Sequence, residues 1–546
     1  RKDGLLHKDK FTFVQQSLLA VKEREGRGIM RCLRTFILLV ILLSAVGCGQ
    51  GVEERSGEAT GNASDDTIVL AAYRQLAPGV NDGYYCSKIL GVWEPLITAD
   101  EATGAPAPCL AASWEMLDEG RVWVFHLRQG VRFHDGTPLT AQVVADNLDW
   151  MAKEARSTAF YSRSRRNYYP NLVGVEPLDA FTIRLTFSQP NINQLYNMMN
   201  FGSPIYAPSC LVDDGSFAGV AIGTGPFRIV ENVKDRYVLL ERNEDYYGEK
   251  ARAHRIMVRS IPSPDVRFAA LKAEEIMGVL DLNAIPPVLA DELVQDDRFA
   301  ISTSRSIMVR YLAMNGKKAP FNDVRMRRAV SLLLDRRLLV DALYLGYATP
   351  TMNLLSIASP FYKEFPVVQD VEEAKHLAHE VLGDERREIV YCVNGADPIA
   401  KGEAELVAYW LADLGLDVRI EALEAPMLTV RMRRGDYDIA RSQQGLPNGD
   451  PLYVFEGFFS PKGSRNKALS LSYDNAEVNE LLTVLHTEPN EGRRRAIFDR
   501  IQAISVAEQP LVPLYYDENI VVYNAARLTG YRALRYGVSL AEVGWK

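Results

Sequence analysis

The sequence has few of the residues on which many enzyme and metal sites depend. Its 546 residues include only 7 His and 6 Cys, and no Cys-x-x-Cys pair occurs. Neither a zinc ribbon nor a thioredoxin-type redox site is therefore supported, since both need cysteines at short spacing. The chain also lacks the Gly-x-Ser-x-Gly turn of the α/β-hydrolases and the Lys-containing phosphate loop of the NTPases.

Positive charge and long apolar runs are also scarce. There are 62 Lys and Arg against 70 Asp and Glu, for a net charge of −8. This balance argues against a general nucleic-acid binder, because phosphate binding needs a positive surface. Only one apolar stretch stands out, near the start, and no other segment approaches the ~20 apolar residues that span a bilayer. The sequence therefore excludes a multi-span transporter, and its length predicts two to four globular domains.

The start of the chain predicts export and lipidation. A basic segment beginning at Met30 is followed by the apolar run 36–43 and then by small residues before Cys48. This order is typical of a secretory signal, and the cysteine after Gly47 resembles the lipobox of bacterial lipoproteins. We expect residues 1–47 to be an upstream segment and signal peptide, with Met30 as the true start and Cys48 carrying the lipid. Residues 48–66 are rich in Gly, Ser and acidic side chains, which predicts a flexible tether.

Four cysteines remain in the body of the chain: Cys86, Cys109, Cys210 and Cys392. Outside the cytoplasm they could form disulfides, for which three pairings exist. Buried free thiols are equally compatible with the sequence.

The hydrophobic pattern predicts alternating helices and strands. Residues 121–128 and 181–187 alternate as half-buried strands do, and Thr140 stands where it would cap a following helix. In the second half, a helical pattern at 406–414 ends at Gly415 and is followed by the alternating segment 416–423. A helix, a glycine stop and a strand in close order are typical of an α/β fold. The same signal recurs with a helix at 427–434, a stop at Gly435 and a strand at 437–440.

Several sequence blocks, in a fixed order over about 67–530, resemble one known family. They are Val92–Leu96 (VWEPL), Leu110–Glu115, Val124–Ala141 (VFHLRQGVRFHDGTPLTA), Gly223–Phe227 (GTGPF), Glu241–Gly248 (ERNEDYYG), Met314–Asn315, Pro320–Arg325, Gly435–Ile439 and Asp450–Pro451. Together they resemble the extracellular solute-binding proteins of family 5, the peptide- and nickel-binding components of ABC importers.

The resemblance implies an α/β, two-lobed periplasmic-binding-protein-like fold of type II, with an extra inserted domain and a ligand cleft at the hinge. It places lobe I at 67–300, with the inserted subdomain at about 97–200, and lobe II at 301–504. Residues 505–546 would return to lobe I. A ligand that bridges two hinged lobes favours closure only through its higher affinity for the closed form.

The family places ligand-binding residues on two loops. The first loop precedes the VWEPL block and could equally be an ordinary turn that leads into a helix. Its polar and aromatic candidates are Asn81, Asp82, Tyr84 and Tyr85. The second loop follows a strand and offers Gln443, Gln444, Asn448 and Asp450; for Asp450, which precedes the matching Pro, a structural role is the alternative.

The second loop departs from the family pattern at two positions. Peptide-binding members place there an Asp that pairs with the ligand's α-amine, and in this sequence that position falls on Pro447. Nickel-type members place a His on the preceding strand, where this sequence has Ser442. The uncharged amides instead suit hydrogen bonds to polar groups.

A basic aromatic run from Arg156 to Tyr169 offers a further candidate. Nickel-type members use an Arg from this region against the carboxylates of a metal chelate, which suits Arg156. The alternative is a solvated loop whose Arg stems cover apolar surface. For His126 and His134 we expect structural roles, because no second metal ligand lies near either in the sequence.

The sequence therefore predicts a lipid-anchored solute-binding component of an ABC importer. Its ligand would be an oligopeptide, a dipeptide or a similar small polar molecule. Alternatives are capture of a nickel chelate, an extracytoplasmic peptidase, and a receptor or chaperone that feeds no importer. We expect no catalytic residues, no bound metal, no cofactor and no nucleic acid. The expected partners are the ligand, the permease subunits and the membrane, the last through the N-terminal lipid. We expect a monomer in the periplasm or on the outer face of the cell membrane.

Overall fold

A computed structural model of the chain describes residues 66–74, 76, 89–153, 165–199, 203–445 and 451–546. All of them belong to one compact unit, Asp65–Lys546. The upstream segment, the signal peptide, Cys48 and the predicted tether up to residue 65 lie outside the described residues.

The strands and helices alternate along most of the chain. The strands are β1 (Thr67–Ala72), β2 (Ile97–Ala99), β3 (Pro106–Pro108), β4 (Ala111–Leu117), β5 (Val122–Leu127), β6 (Leu172–Pro177), β7 (Thr182–Phe187), β8 (Phe227–Val233), β9 (Tyr237–Arg242), β10 (Arg255–Ser260), β11 (Gly278–Val279), β12 (Phe299–Met314), β13 (Ala348–Pro350), β14 (Arg387–Asn394), β15 (Leu416–Leu423), β16 (Ile439–Gly445), β17 (Val512–Asn524), β18 (Leu528–Thr529) and β19 (Gly544–Trp545). The helices are α1 (Ala141–Ala152), α2 (Arg165–Tyr168), α3 (Gln194–Met198), α4 (Pro264–Lys272), α5 (Pro287–Leu293), α6 (Val324–Leu333), α7 (Arg336–Tyr344), α8 (Val371–Leu382), α9 (Pro398–Leu411), α10 (Ala425–Arg434), α11 (Pro451–Phe459), α12 (Ser464–Ala468), α13 (Ala476–Leu485) and α14 (Glu491–Glu508). In this part of the chain, none of the helices is long and apolar enough to cross a membrane.

One large mixed sheet runs through the protein. Its strands lie in the order β15-β14-β16-β12-β17-β11-β1-β10-β9-β8, and β13 pairs with β17. A separate antiparallel sheet, in the order β4-β5-β7-β6, forms within the region where the inserted subdomain is predicted. Its strands β5 and β7 confirm the alternating segments seen in the sequence. In α1, the Thr140 hydroxyl accepts a hydrogen bond from the Val143 amide at 3.3 Å, as its N-cap position predicts.

The buried apolar residues form separate cores at the two ends of the large sheet. One core contains buried residues of β1, β10, the four-stranded sheet and the end of β17. Two further cores lie on the two faces of the β14–β16 portion, one with α6 to α9 and one with α11, α13 and α14. We call the first region lobe I and the second lobe II. This arrangement is the two-lobed α/β fold that the resemblance implies.

The αβ units of lobe II follow from local sequence signals. Asp397 caps α9 by accepting hydrogen bonds from the Ile399 and Ala400 amides, and the chain turns after this helix at Gly415, whose φ is 78°. Gly435, with a φ of 71°, ends α10 in the same left-handed conformation. The predicted helices and the strand 416–423 are confirmed. The strand predicted at 437–440 begins two residues later and extends to Gly445.

The described cysteines are free thiols. Cys109, Cys210 and Cys392 form no disulfide with one another, and Cys86 lies outside the described residues. Burial raises the pKa of the Cys210 thiol to about 11, so that this thiol stays protonated and unreactive.

Candidate functional site

Two long strands, β12 and β17, connect the lobes. Phe299 at the start of β12 belongs to the core of lobe I, whereas Leu312 near its end belongs to lobe II. The antiparallel pairing of the two strands shifts register between Arg305 and Val309. A bulge of this kind bends a strand and increases its twist. The register shift at 306–308 therefore marks where the chain passes from one lobe to the other, and we call this segment the hinge.

The carboxyl ends of the strands in lobe II point toward this bulge. Strand β16 runs antiparallel to β12, with Gly445 opposite Met308 and Ile439 opposite Met314. Strands β14 and β15 are parallel to each other, and β14 is parallel to β16. The loops that follow all three strands consequently begin at the edge of lobe II nearest the hinge.

The parallel strands of lobe I point toward the hinge from the other side. Strand β11 runs antiparallel to β17, with Gly278 opposite Tyr523, and β1 is parallel to both β10 and β11. Just beyond β11, Asn283 exchanges hydrogen bonds with Ile520 at 2.8 and 2.9 Å, one step closer to the hinge. The two carboxyl edges therefore face each other. Open α/β sheets bind ligands at such edges, and we call the space between them the cleft.

An ion pair stands at the lobe I edge. Tyr73 and Arg74 follow β1 directly, and the Arg74 Nε lies 2.8 Å from Oδ1 of Asp281, whose carboxylate is wholly buried. The Tyr73 amide donates to the other carboxylate oxygen at 2.8 Å, and the guanidinium lies 4.5 Å from the centre of the Tyr73 ring. Burial raises the pKa of Asp281, and Arg74 opposes that shift. The pair holds Tyr73 in place while its ring remains exposed.

A second charged group lies where lobe II meets the hinge. Arg441 on β16 donates to Glu403 at 3.0 Å and to Asp397 at 3.1 Å. The Tyr515 hydroxyl also donates to Glu403, at 2.5 Å. Burial raises the pKa of Tyr515, and the neighbouring Glu403 raises it further, so the hydroxyl remains a donor. The arrangement fixes the start of α9 against β16.

A third ion pair crosses the two hinge strands. Arg310 on β12 contacts Asp517 on β17 through two guanidinium nitrogens, with a shortest distance of 2.6 Å. Arg310 stands opposite Gln443 in the register of β12 with β16. The Arg310–Asp517 ion pair therefore lies beside the Gln443 side chain on the hinge side of lobe II.

The predicted site residues divide between described and undescribed segments. Gln443 and Gln444 directly precede Gly445, the last residue of β16, at the lobe II edge. Gln443 is exposed, whereas Gln444 is buried and its side-chain amide donates to the Gly445 carbonyl. Gln443 is therefore the available amide of the two. The other predicted residues lie outside the described residues: Asn81, Asp82, Tyr84, Tyr85, Arg156, Asn448 and Asp450.

The sequence interpretation missed most of the charged residues around the cleft. Arg74, Arg310, Arg441 and Asp517 stand in no motif, and their partners are distant in sequence. One signal was available, because Tyr73 and Arg74 directly follow the buried strand β1. Polar residues in that position are placed at the carboxyl edge of a sheet.

The two histidines lie away from the cleft. His126 is partly exposed and contacts Glu115 at 3.3 Å. His134 is half-buried, and its Nε2 lies 2.9 Å from the Gly225 carbonyl, to which it donates. Among the described residues, no three His, Cys, Asp or Glu side chains are grouped so that they could hold a metal ion.

His134 should make the protein less stable in mild acid. Burial lowers its pKa below the usual 6.5, helped by Arg228 and opposed by the Gly225 carbonyl and Asp135. Below about pH 6.5 the unfolded chain gains a proton that the folded chain does not, so stability falls with pH. His134→Gln keeps a donor and removes the titration. Urea unfolding at about pH 7.5 and about pH 5.5 should show a fall in unfolding free energy that is about 1 kcal/mol smaller in the variant. Equal falls in both proteins would contradict this role.

Comparison with known proteins gives consistent matches over most of the chain. A sequence profile of the bacterial extracellular solute-binding proteins, family 5, middle region, matches residues 105–466. The probable D,D-dipeptide-binding periplasmic protein DdpA of Escherichia coli is 26% identical over 415 residues, or 74% of this chain and 78% of that protein. Heme-binding protein A of Haemophilus influenzae is 26% identical over 478 residues, or 82% of this chain and 85% of that protein. The nickel-binding periplasmic protein of E. coli is 25% identical over 457 residues, or 79% of this chain and 84% of that protein.

Solved structures show the same fold. NikA from Brucella suis, in complex with Fe(III)-EDTA, aligns with a TM-score of 0.77 at 23% identity. The alignment covers 88% of this chain and 100% of the NikA chain. DppA from Helicobacter pylori, in complex with the peptide STSA, aligns with a TM-score of 0.68 at 23% identity. The alignment covers 88% of this chain and 98% of the DppA chain. At this identity the likeness establishes the fold and leaves the ligand open.

Proposed function

The chain belongs to family 5 of the bacterial extracellular solute-binding proteins, and from that premise we propose that it captures an oligopeptide, a dipeptide or a similar small polar ligand for an ABC permease. The observation that carries the proposal is the cleft. Its two edges belong to different lobes, and they meet at the bulge in β12. A ligand that touches both edges stabilises their approach, and the permease can then recognise the closed form.

The polar groups at the cleft support capture without covalent chemistry. Gln443 offers both a donor and an acceptor, and the neighbouring arginines are held by carboxylates. The members of this family are the substrate-binding proteins of transporters. We expect no turnover of a peptide panel, and hydrolysis that one Ser, Cys or His substitution abolishes would contradict this.

Native mass spectrometry of residues 49–546, purified from the periplasm of an expression host, tests the proposal. A series of bound masses that match short peptides would support it and would give their lengths. A single bound mass with a nickel isotope pattern would replace it with chelate capture. A protein without bound mass would next be titrated with defined peptides and with nickel–histidine. Absence of binding to the peptides would contradict the proposal.

We further propose that the protein is held at the membrane by a lipid on Cys48. The basic, apolar and small-residue segments before this cysteine support lipidation. Cys48→Ser should move the protein from the membrane fraction to the soluble fraction after a salt wash, as an immunoblot would show. Cys32→Ser, inside the signal segment, is the matched control and should leave the protein at the membrane. Retention of the Cys48 variant in the membrane fraction would contradict the anchor.

A further inference from the structure

Exposed apolar side chains stand on both edges of the cleft. Most large apolar residues of the described chain are buried; seventeen are exposed, and five of these lie at the two edges. They are Tyr73 (43% exposed), Val266 (54%) and Val288 (64%) in lobe I, and Met427 (53%) and Tyr453 (62%) in lobe II.

Chain connectivity places these residues at the edges. Tyr73 directly follows β1, while Val266 and Val288 lie in the first turns of α4 and α5, the helices after β10 and β11. In lobe II, Met427 and Tyr453 lie in the first turns of α10 and α11, the helices after β15 and β16. The first turn of a helix that follows a parallel strand begins at the carboxyl edge of the sheet. The five residues therefore line the two sides that face each other across the hinge.

Tyr453 lies on the side of α11 that faces away from the core of lobe II. Its neighbours Leu452, Val454 and Phe455 are all buried in the core of lobe II. Single exposed apolar residues are ordinary on a protein surface. Their convergence on two facing edges is typical of a binding surface, which is mostly apolar with a few fixed polar groups.

The charged groups at the same edges are already compensated. Arg74 contacts Asp281, and Arg441 contacts Asp397 and Glu403. Arg310 on the hinge contacts Asp517. A small, strongly hydrophilic ligand would have to compete with these ion pairs and would leave the apolar side chains in water. A ligand with an apolar body avoids both costs.

We infer that the ligand is a short peptide with large apolar side chains, held between the aromatic and aliphatic residues of the two edges. This inference rests on the proposed function and narrows it. Gln443 hydrogen-bonds the peptide backbone, while Tyr453 from lobe II and Tyr73 from lobe I contact its side chains. Closure of the lobes then removes apolar surface of both the peptide and the protein from water.

The test compares two tripeptides of equal charge, Ala-Phe-Ala and Ala-Ser-Ala, by isothermal titration calorimetry. Wild-type protein should bind the Phe peptide about tenfold more tightly or better, as expected for burial of one aromatic side chain. Tyr453→Ser should lower this preference by about fivefold. Tyr409→Ser is the matched control, because Tyr409 is 64% exposed but lies in the last turn of α9, at the end far from the edge.

The possible outcomes separate the inference from the proposed function. If wild-type protein binds neither peptide, the inference is overturned, whereas the proposed function is decided by the mass spectrometry and the peptide titrations described above. If it binds the two with equal affinity, the proposed function stands and the inference is overturned. If Tyr453→Ser keeps the preference but slows uptake through a reconstituted permease, the apolar edge is a docking surface for the permease. That result also overturns the inference.

Discussion

Replacing Glu94 with Ala should lower the free energy of unfolding by about 3 kcal/mol, or about 1 kcal/mol for each hydroxyl that loses its acceptor. The Glu94 carboxylate is buried in lobe I, where it accepts hydrogen bonds from three hydroxyl groups. Tyr246 and Tyr247 donate to one oxygen at 2.8 and 3.0 Å, and Thr224 donates to the other at 2.9 Å. Burial raises the pKa of both tyrosines, and Glu94 raises it further, so the hydroxyls remain donors. Without the carboxylate, the buried Thr224 hydroxyl and the two half-buried tyrosine hydroxyls lose their acceptor.

Urea unfolding followed by tryptophan fluorescence would measure the effect. The matched control is Glu115→Ala, since Glu115 is an exposed glutamate of the same lobe that contacts only the partly exposed His126. We expect a change within about 0.5 kcal/mol for this control. Equal changes in the two variants would show that the Glu94 cluster does not stabilise lobe I.

The Glu94 cluster also explains why the family could be identified from sequence. Glu94 belongs to the VWEPL block, Thr224 to the GTGPF block, and Tyr246 to the ERNEDYYG block. The blocks are distant in sequence, but their side chains meet in one hydrogen-bonded group. His134 of a fourth block donates to the same GTGPF segment through its ring and its backbone amide.

Lobe II contains a comparable group. The side-chain amide of Asn315, from the Met314–Asn315 block, donates to the carbonyls of Gly435 and Tyr437 at 3.0 and 3.1 Å. A Cβ atom at position 435 would lie 3.1 Å from the Ser470 hydroxyl oxygen. A residue other than glycine would also have to adopt the positive φ of 71° found there. These contacts join β12 to the segment before β16. The recognisable blocks therefore stabilise each lobe internally, and they say little about the ligand.

Local signals predicted the secondary structure better than they predicted the cleft. The α9 helix was visible from the spacing of Leu406 and Trp410, but its first two turns were not. They begin at Pro398 behind the Asp397 cap, and their register depends on the contact of Asp397 with Arg441. Such ion pairs join residues far apart in the chain, and no periodic pattern reports them. The carboxyl edges became visible only once strand direction and register were known.

Removing one contact between the lobes should weaken the binding of every ligand by a similar factor. Arg494 on α14 of lobe II donates to the side chain of Asn193, just before α3 of lobe I, at 2.5 Å. Close by, the ring of Tyr196 packs 6.1 Å from that of Phe361, which belongs to a core of lobe II. Neither contact involves the cleft. Both therefore stabilise the observed arrangement of the lobes whether or not a ligand is bound.

Asn193→Ala tests this contribution with little disturbance, because the Asn193 side chain does not cap α3. A hydrogen bond from a charged donor contributes about 1.5–3 kcal/mol. Because the bridge joins the two lobes, its loss lowers the population of the observed arrangement and should weaken apparent affinity by roughly tenfold or more. Titration calorimetry should show the same factor for apolar and polar peptides, whereas Asn322→Ala, on the surface of lobe II, should change neither affinity. A loss confined to one peptide would place Asn193 in ligand recognition, and an unchanged affinity for both peptides would contradict the prediction.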